Sequence, residues 1–327
     1  MSVPTKAPDP AAVARFGAAF SAVAPGGTIA LAVSGGADSM AMLVLAHVAL
    51  PGRTIAATVD HRLRAEAAGE AAMVANHCAA LAIPHTILTP DVPIAGASIQ
   101  AQARAARYRL LRDWAGQAGA VALLTAHHAD DQAETLLMRA ARGSGVSGLA
   151  GIRRVRDLEG IALIRPLLDW RRAELRAVAE AAGAPFVDDP SNRDEAHDRT
   201  RFRRMVEANP ELDVAGIAAS ASYAAEAEQA LEALADAEWD QRIVTGATLT
   251  LAAAQLPRDL RRRLARRAIG EVRALAAIAV PFWSDAANVE ALLDALAAGK
   301  SATQAGVMVS PRGKTWRFSA APPRRSH

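Results

Sequence analysis

The first half of the chain alternates short β-rich apolar runs with longer Ala-rich amphipathic stretches. This alternation is typical of βαβ units built around a parallel sheet. The apolar runs predict five strands, over residues 28–33, 54–59, 85–88, 121–125 and 161–165. The amphipathic stretches predict helices over residues 39–49, 65–81, 98–115, 129–142 and 170–182. We therefore expect an α/β fold with a doubly wound, parallel, five-stranded sheet.

The alternation of β-rich runs and amphipathic stretches ends near Asn209-Pro210, which indicates a domain boundary there. Residues 212–240 are rich in Ala and Glu and read as one helix, followed by an arginine-rich helix and a third helix over 284–298. Residues 307–310 and 315–319 flank a turn containing a glycine and predict a terminal β-hairpin. The expected organisation is a helical lead-in over 1–27, an α/β domain over 28–209, and a smaller, mainly helical region over 210–327.

Composition restricts the class of protein. The chain has 327 residues, of which 51% are hydrophobic, so it can bury a large core. Its longest apolar runs are well short of the roughly 20 residues that a membrane span needs. The first ten residues contain Lys6 but no apolar stretch followed by a cleavage site. We expect a cytoplasmic protein that makes no membrane contact.

Cysteine and arginine usage narrows the chemistry further. Cys78 is the only cysteine, which excludes an internal disulfide, a cysteine zinc site and a two-cysteine sulfur relay. The 37 basic residues comprise three lysines and 34 arginines, and the net charge is +3. Arginine binds phosphate in a fixed fork geometry, which suits a nucleic-acid partner. Codon bias would produce the same preference, so both explanations stay open.

The first predicted strand runs directly into a Gly-rich loop that opens a helix. Glycines let the backbone approach a phosphate closely, and free N–H groups at a helix start favour an anion. No Gly-Lys-Ser/Thr follows, so the loop is not a Walker loop. A plain strand-to-helix turn capped by Asp38 or Ser39 is the structural alternative. The candidate phosphate-binding residues are Ser34, Gly35, Gly36, Ala37, Asp38 and Ser39.

A second candidate cluster follows the fourth predicted strand, in residues 126–135. On a helix, His127, Asp131 and Glu134 fall at i, i+4 and i+7 and would share one face. Such a cluster beside a phosphate loop can bind a cationic amine, a metal ion, or both. Like charges this close raise one another's pKa, which favours a carboxylate that accepts a proton. Capping of the helix start by Asp130 and Asp131 is the alternative explanation.

Together the motifs resemble a known family. The Ser-Gly-Gly-Ala-Asp-Ser loop resembles the pyrophosphate loop of the N-type ATP pyrophosphatases, the PP-loop superfamily. Five further motifs resemble those of the tRNA(Ile)-lysidine synthetase family, in consistent order over residues 28–204. They lie at 103–108, 126–135, 142–152, 165–168 and 189–192. The resemblance implies an adenine nucleotide alpha hydrolase-like fold. Where the family has an Arg-Asn pair, this chain has Arg199-Thr200.

The family resemblance implies a reaction and a set of roles. The family adenylates C2 of the wobble cytidine in an isoleucine tRNA with a CAU anticodon, and lysine then displaces AMP. Asp38 would hold Mg²⁺ against ATP, which a hard cation's preference for carboxylate oxygen supports. His127, Asp131 and Glu134 would activate the base and bind lysine, and Arg107 and Arg199 are candidate phosphate or carboxylate contacts. A homodimer is possible.

Two arginine clusters are candidate RNA contacts, one over residues 199–204 and one over residues 258–267. A solvated helix face is the alternative for the second cluster. A tRNA thiolase, an amidating ligase and a non-catalytic nucleotide-binding or RNA-binding module are the rival functions. A thiolase generally needs a pair of cysteines to carry sulfur, and this chain has one. An amidating ligase shares only the Gly-rich loop and does not explain the acidic motif or the arginine clusters.

Overall fold

A computed structural model describes residues 6–19, 26–96, 98–188, 198–244, 248–253, 255–284 and 286–322. The chain divides into two compact units, Met1–Ala225 and Glu226–His327. The division falls within a helix of 29 residues, α9 (Val214–Arg242). The boundary expected from sequence, at 209/210, lies just before this helix.

The first unit contains a six-stranded sheet. Its strands are β1 (Thr28–Ala32), β2 (Thr54–Val59), β3 (His85–Leu88), β4 (Ala120–Leu124), β5 (Val155–Leu158) and β6 (Ile161–Ile164). The order across the sheet is β3-β2-β1-β4-β6-β5. The five parallel strands β1 to β4 and β6 confirm the expected doubly wound sheet.

The antiparallel edge strand β5 was not expected from the sequence. Its Val-Arg-Asp-Leu sequence is mostly exposed, so it has no apolar alternation to detect. The turn into β6 places Glu159 and Gly160 at positive φ, the backbone conformation of a tight hairpin. This hairpin turn, rather than apolar burial, defines the strand.

Helices cover both faces of the sheet. They are α1 (Pro10–Ala18), α2 (Ala37–Ala49), α3 (Ala67–Ala80), α4 (Ile99–Gln117), α5 (Ala129–Ala141), α6 (Val146–Leu149), α7 (Arg172–Ala181) and α8 (Asp198–Ala208). Successive strand residues point to opposite faces. Ile29 and Leu31 therefore join the core formed with α1, α2, α3 and α7, whereas Ala30 joins the core beneath α4. The helix α2 is buried along residues 39–46, which explains its almost continuous apolar sequence.

The strand order determines where a ligand can bind. Strand β1 lies between β2 and β4. After β1 the chain adds β2 and β3 on one side of it, and then adds β4 on the other side. Ligands of open α/β sheets bind at such a switch point, beyond the carboxyl ends of the strands. The segments that follow β1 and β4 therefore lie at the same edge of the sheet, and both predicted functional motifs occupy these segments.

The second unit combines helices with an antiparallel sheet. It contains the end of α9, α10 (Arg258–Leu275) and α11 (Glu290–Ala297). Its strands are β7 (Ile243–Val244), β8 (Leu249–Leu251), β9 (Ala302–Gln304), β10 (Val307–Arg312) and β11 (Thr315–Ala320), in the order β7-β8-β11-β10-β9. The predicted terminal hairpin is confirmed as β10 and β11. The other three strands are too short to produce a period-two pattern. None of the helices in the described ranges could cross a membrane.

Candidate functional site

The Gly-rich loop lies between β1 and α2, as the sequence predicts, and is held by internal hydrogen bonds. The hydroxyl of Ser39 accepts from the Ser34 amide at 3.1 Å and donates to the Gly36 carbonyl oxygen at 2.9 Å. The two serine hydroxyls lie 3.2 Å apart. These contacts fix the loop before any ligand binds.

The two loop glycines differ in what surrounds them. Gly35 has φ +87°, a left-handed conformation that side chains disfavour, and a Cβ there would lie 3.4 Å from Met73 Cε. Gly36 has φ −76° and forms the N-cap of α2. A Cβ on Gly36 would find only the Ser34 hydroxyl, at 3.8 Å. The first glycine therefore shapes the loop, and the second leaves open space beside the helix start.

The start of α2 offers free donors to an anion. Within the described part of the chain, the amides of residues 35–38 donate no hydrogen bond. The Asp38 side chain is 31% exposed, yet its Oδ1 atom is buried and has no hydrogen-bond partner among the described residues. Unpaired amides and an unpaired carboxylate oxygen side by side suit a phosphate together with a cation.

His128, which sequence reasoning did not select, joins this loop to α5. Its side chain is 2% exposed, and Nε2 lies 3.4 Å from Asp38 Oδ2 and 3.6 Å from Asp131 Oδ2. The residue also caps α5: its Nδ1 accepts from the Asp131 amide, and Asp131 Oδ2 accepts from the His128 amide. The available signal was a His three residues before an Asp at a helix start, which is the spacing of a capping box.

Two carboxylates raise the pKa of the His128 ring: Nε2 faces them, while Nδ1 accepts the capping hydrogen bond. Burial lowers the pKa of this imidazole, but the charges of Asp131 and Asp38 and the hydrogen bond to Asp38 outweigh burial. The pKa of His128 therefore lies above its usual 6.5. The buried imidazole thus links two carboxylates that would otherwise repel each other.

Asp130 has a structural partner on α7. Its carboxylate accepts hydrogen bonds from the Arg171 side chain at 3.2 and 3.3 Å and from the Arg172 amide at 2.8 Å. Burial raises the pKa of Asp130, but these hydrogen bonds outweigh burial and lower it. Asp130 therefore stays ionised and fastens the start of α5 to the start of α7.

Glu134 is enclosed by arginines. Its side chain is 2% exposed, and Oε1 accepts from Arg203 Nε at 2.7 Å and from Arg172 Nη2 at 3.3 Å. The structure thus places Glu134 in a buried ion-pair cluster between α5, α7 and α8. Its role as a ligand of lysine stays a prediction.

His127 does not lie on the helix, so its expected helical spacing is wrong. The helix α5 begins at Ala129 and His128 is its N-cap, which leaves His127 in the preceding loop. The half-buried His127 ring makes a hydrogen bond of 3.1 Å between Nδ1 and the Thr125 hydroxyl. His127 therefore stays at the carboxyl end of β4, but not on the face of α5 that carries Asp131 and Glu134.

The Gly-rich segment after α5 is bound to that helix. The Gln132 side chain makes a reciprocal pair of hydrogen bonds with the Ile152 backbone, at 2.8 and 2.6 Å. Arg139 donates to the carbonyl oxygens of Gly148 and Gly151. Gly151 has φ +61°, and a Cβ there would lie 2.3 Å from Gln132 Oε1. Two motif regions that are separate in sequence thus form one packed structure.

The remaining predicted ligands lie elsewhere in the unit. Arg107 lies on α4 and is exposed. Arg199 lies on α8, but its side chain is outside the described residues, as is the motif at 189–192. Among the described residues, no group of three or more His, Cys, Asp or Glu side chains could hold a metal ion.

Four of the six arginines over residues 258–267 form ion pairs with carboxylates, which the hypothesis of a basic RNA-binding patch did not include. Arg263 makes two hydrogen bonds to the buried Glu228, at 2.8 and 2.6 Å, and Arg267 contacts Asp236 at 2.7 Å. Arg258 and Arg262 both pair with Glu290. These guanidinium groups are neutralised within the second unit, because their carboxylates lie on α9 and α11.

The fold and the loop define a class of nucleotide-binding protein. Residues 10–210 match the family described as PP-loop domain. The U34-tRNA thiolase NcsA from Methanococcus maripaludis has a similar fold. The TM-score is 0.56 at 17% identity, over 66% of this chain and 77% of that chain. This class is the PP-loop proteins.

Closer relatives narrow the class to one family. The tRNA(Ile)-lysidine synthase of Novosphingobium aromaticivorans is 44% identical over 96% of this chain and 95% of its own length. The enzyme of that name from Zymomonas mobilis is 43% identical over 91% of this chain and 90% of its own length. The chain belongs to the tRNA(Ile)-lysidine synthase family.

Proposed function

We propose that the protein is an ATP-dependent ligase that converts the wobble cytidine of a CAU-anticodon isoleucine tRNA into lysidine. The observation that carries this proposal is the strand-loop-helix at β1 and α2. Among the described residues, the amides of this segment and one Asp38 oxygen have no hydrogen-bond partner, and they lie beside the acidic start of α5. Membership of the family supplies the identity of the substrates.

The reaction has two bond exchanges. In the first, O2 of the cytidine attacks the α-phosphorus of ATP, the bond to the bridging oxygen breaks, and pyrophosphate leaves. In the second, the side-chain nitrogen of lysine attacks C2, the C2–O2 bond breaks, and AMP leaves with that oxygen. Adenylation is required because a pyrimidine carbonyl oxygen is otherwise a poor leaving group.

The loop residues serve the first step. The amides of residues 35–38 and the hydroxyls of Ser34 and Ser39 would donate to the phosphates, whose charge the α2 dipole also stabilises. Mg²⁺ fits at Asp38, since Oδ1 is a buried carboxylate oxygen without a partner among the described residues. When bound, this ion neutralises charge on the phosphates.

The acidic residues serve the second step. Asp131 lies at the His128 end of α5 and is 14% exposed. Its carboxylate would bind the amine and accept its proton. Glu134 is the second carboxylate of the proposed amine site, reached when its contact with Arg172 or Arg203 opens. His127 would contact the base from the end of β4, and Arg107 and Arg199 would contact phosphate or carboxylate groups. A cytoplasmic location and a homodimer belong to the same proposal.

The rival chemistry of sulfur transfer has little support in this chain. Cys78 is fully buried, and burial raises the pKa of its thiol to about 12. A thiol in this state is neither ionised nor accessible at neutral pH. Since Cys78 is the only cysteine, the chain offers no sulfur carrier.

The test is mass analysis of nucleosides from unmodified isoleucine tRNA incubated with the protein, ATP, Mg²⁺ and lysine. We expect lysidine with all components, and only adenylated or unreacted cytidine when lysine is omitted. Asp38→Ala and Asp131→Ala should abolish pyrophosphate release or amine transfer on intact tRNA. Near-wild-type rates in both variants, or no lysidine from the wild-type protein, would contradict the proposal.

A further inference from the structure

A second group of cations in the first unit differs from the paired arginines of α10. It consists of Arg104, Arg107, Arg156 and Arg165, here termed the arginine cluster. The guanidinium of Arg104 lies 5.1 Å from the centroid of the Tyr108 ring, and Tyr108 interacts with Arg165. The charges of Arg104 and Arg156 both act on Arg165. Tyr108 therefore lies beside Arg104 and Arg165, and Arg156 lies close enough to Arg165 for their charges to interact.

No carboxylate compensates these charges. Among the described residues, none of the four guanidinium groups makes a salt bridge, whereas four arginines of α10 pair with acids. Desolvation and the charge of Arg104 lower the pKa of Arg107, although its side chain is exposed overall. Like charges held together without a counter-charge destabilise one another. An anion bound among them would relieve this repulsion.

Arg165 gives the cluster a rigid member. It follows β6 directly and is only 4% exposed. Its Nη1 donates to the Arg153 carbonyl oxygen at 2.6 Å, and its Nε is buried without a hydrogen-bond partner in the described ranges. A guanidinium that is already buried and oriented loses little entropy when it binds a phosphate in fork geometry.

The position of the cluster separates it from the loop that would hold ATP. Helix α4 packs on the face of the sheet opposite α2. The charge of Arg107 acts on His61, which follows β2, whereas Arg165 follows β6. Strands β1 and β4 lie between β2 and β6 in the sheet. The cluster therefore extends along the carboxyl edge of the sheet, from the end of β2 to the end of β6, and passes the Gly-rich loop that follows β1. The loop proposed to bind the triphosphate opens α2, which packs on the other face of the sheet.

From this placement we infer that the arginine cluster binds a backbone phosphodiester of the RNA substrate, close to the nucleotide presented to the loop. The inference rests on the proposed function for the identity of the polyanion. The carboxylate of a single amino acid such as lysine carries one charge and does not need four arginines to bind it, which favours a polyanion as the ligand. Phosphate contacts of this kind fix the register of an RNA without reading its sequence.

The experiment measures the affinity for isoleucine tRNA by filter binding over a range of salt concentrations. The variants are Arg104→Gln and Arg156→Gln, and the matched control is Arg109→Gln, an exposed arginine of α4 outside the cluster. Each lost phosphate contact should lower the slope of log K against log salt by about 0.7 to 0.9. Affinity at low salt should fall by roughly fivefold or more per variant. The control should match the wild-type protein.

Two further measurements identify the anion. ATP affinity without RNA and the KM for lysine should stay unchanged in both cluster variants. Unchanged tRNA affinity and salt slope would overturn the inference. So would a weakened ATP affinity, which would assign the cluster to the triphosphate, or a raised lysine KM, which would assign it to the amino-acid carboxylate.

The inference and the proposed function fail separately. If the wild-type protein forms lysidine but the variants keep the full salt slope, only the phosphodiester site is wrong. If the wild-type protein forms no lysidine but the slope falls in the variants, the RNA site stands and the reaction is wrong.

Discussion

The Nε2 atom of His128 lies 3.4 Å from Oδ2 of Asp38, so the cap of α5 contacts the first turn of α2 directly. The two residues follow β4 and β1, which are neighbours in the sheet although far apart in sequence. Through this contact, the orientation of the Asp38 carboxylate depends on a residue outside the loop. Asp38 is the proposed ligand of the nucleotide's cation. His128 is therefore a positioning residue in the proposed reaction.

Substitution of His128 should separate its two structural roles. Asparagine is a good N-cap, so His128→Asn should keep the cap of α5 and lose the contact with Asp38. His128→Ala should lose both and cost about 1 kcal/mol more in unfolding free energy. Both variants should slow pyrophosphate release at saturating tRNA and lysine, by roughly tenfold or more. Full activity in His128→Asn, measured beside its unfolding curve, would show that the Asp38 contact is dispensable.

The two loop glycines should respond differently to alanine. Gly35→Ala places a side chain at φ +87°, which should cost about 1–2 kcal/mol of stability. Gly36→Ala adds a Cβ in open space at an ordinary φ, so the fold should tolerate it. This Cβ would nevertheless occupy space that we assign to phosphate, so ATP affinity should fall.

Thermal unfolding and equilibrium ATP binding together test this contrast. Equal losses of stability in the two variants would contradict the difference in backbone conformation. Unchanged ATP affinity in Gly36→Ala would mean that no phosphate lies against the start of α2.

The phosphate loop could be predicted from the sequence because its determinants are local. Residues 34–39 follow a strand and open a helix, and the glycine that needs positive φ lies within the motif itself. The five parallel strands could be predicted for the same reason, since the alternation of apolar runs and amphipathic stretches is also a local feature of the sequence. Edge strand β5 depends on the turn at Glu159 and Gly160, and its polar sequence resembles a loop.

The rest of the site depends on partners that are distant in sequence. The sequence predicts Glu134 as a ligand of an amine or a metal ion, and its pairing with Arg203, 69 residues later, could not be predicted. The arginines of α10 read as a basic patch until Glu228 and Glu290, 35 and 28 residues away, neutralise them. A single sequence does not show whether a charged side chain is exposed to solvent or paired with a side chain of opposite charge.

The buried pairing of Glu134 leads to a prediction about stability. Glu134→Ala would leave Arg172 and Arg203 without their shared acceptor and should destabilise the protein by about 3 kcal/mol, the lower end of the range for a broken buried pair. The control is Glu180→Ala, in which an exposed carboxylate loses Arg176 and the cost should stay below about 1 kcal/mol. Denaturant unfolding measures both.

A second variant tests the predicted contact of Glu134 with lysine. Glu134→Gln keeps an oxygen that can accept from Arg203, so it should recover part of the lost stability. A neutral amide binds an ammonium group poorly, so the KM for lysine should rise by roughly tenfold or more. A KM that stays at the wild-type value would leave Glu134 with a structural role alone.

The ion pairs of the second unit lead to a final contrast, between Glu228 and Asp236. Glu228 is 2% exposed and accepts two hydrogen bonds from Arg263, whereas the Asp236 side chain is 71% exposed against Arg267. Glu228→Ala should therefore cost about 3 kcal/mol of unfolding free energy, and Asp236→Ala less than about 1 kcal/mol. Because Arg263 is engaged within the protein, Arg263→Gln should leave the salt slope of tRNA binding unchanged. A slope that falls in Arg263→Gln, measured on protein shown to be folded, would mean that α10 exchanges its internal carboxylates for RNA phosphates.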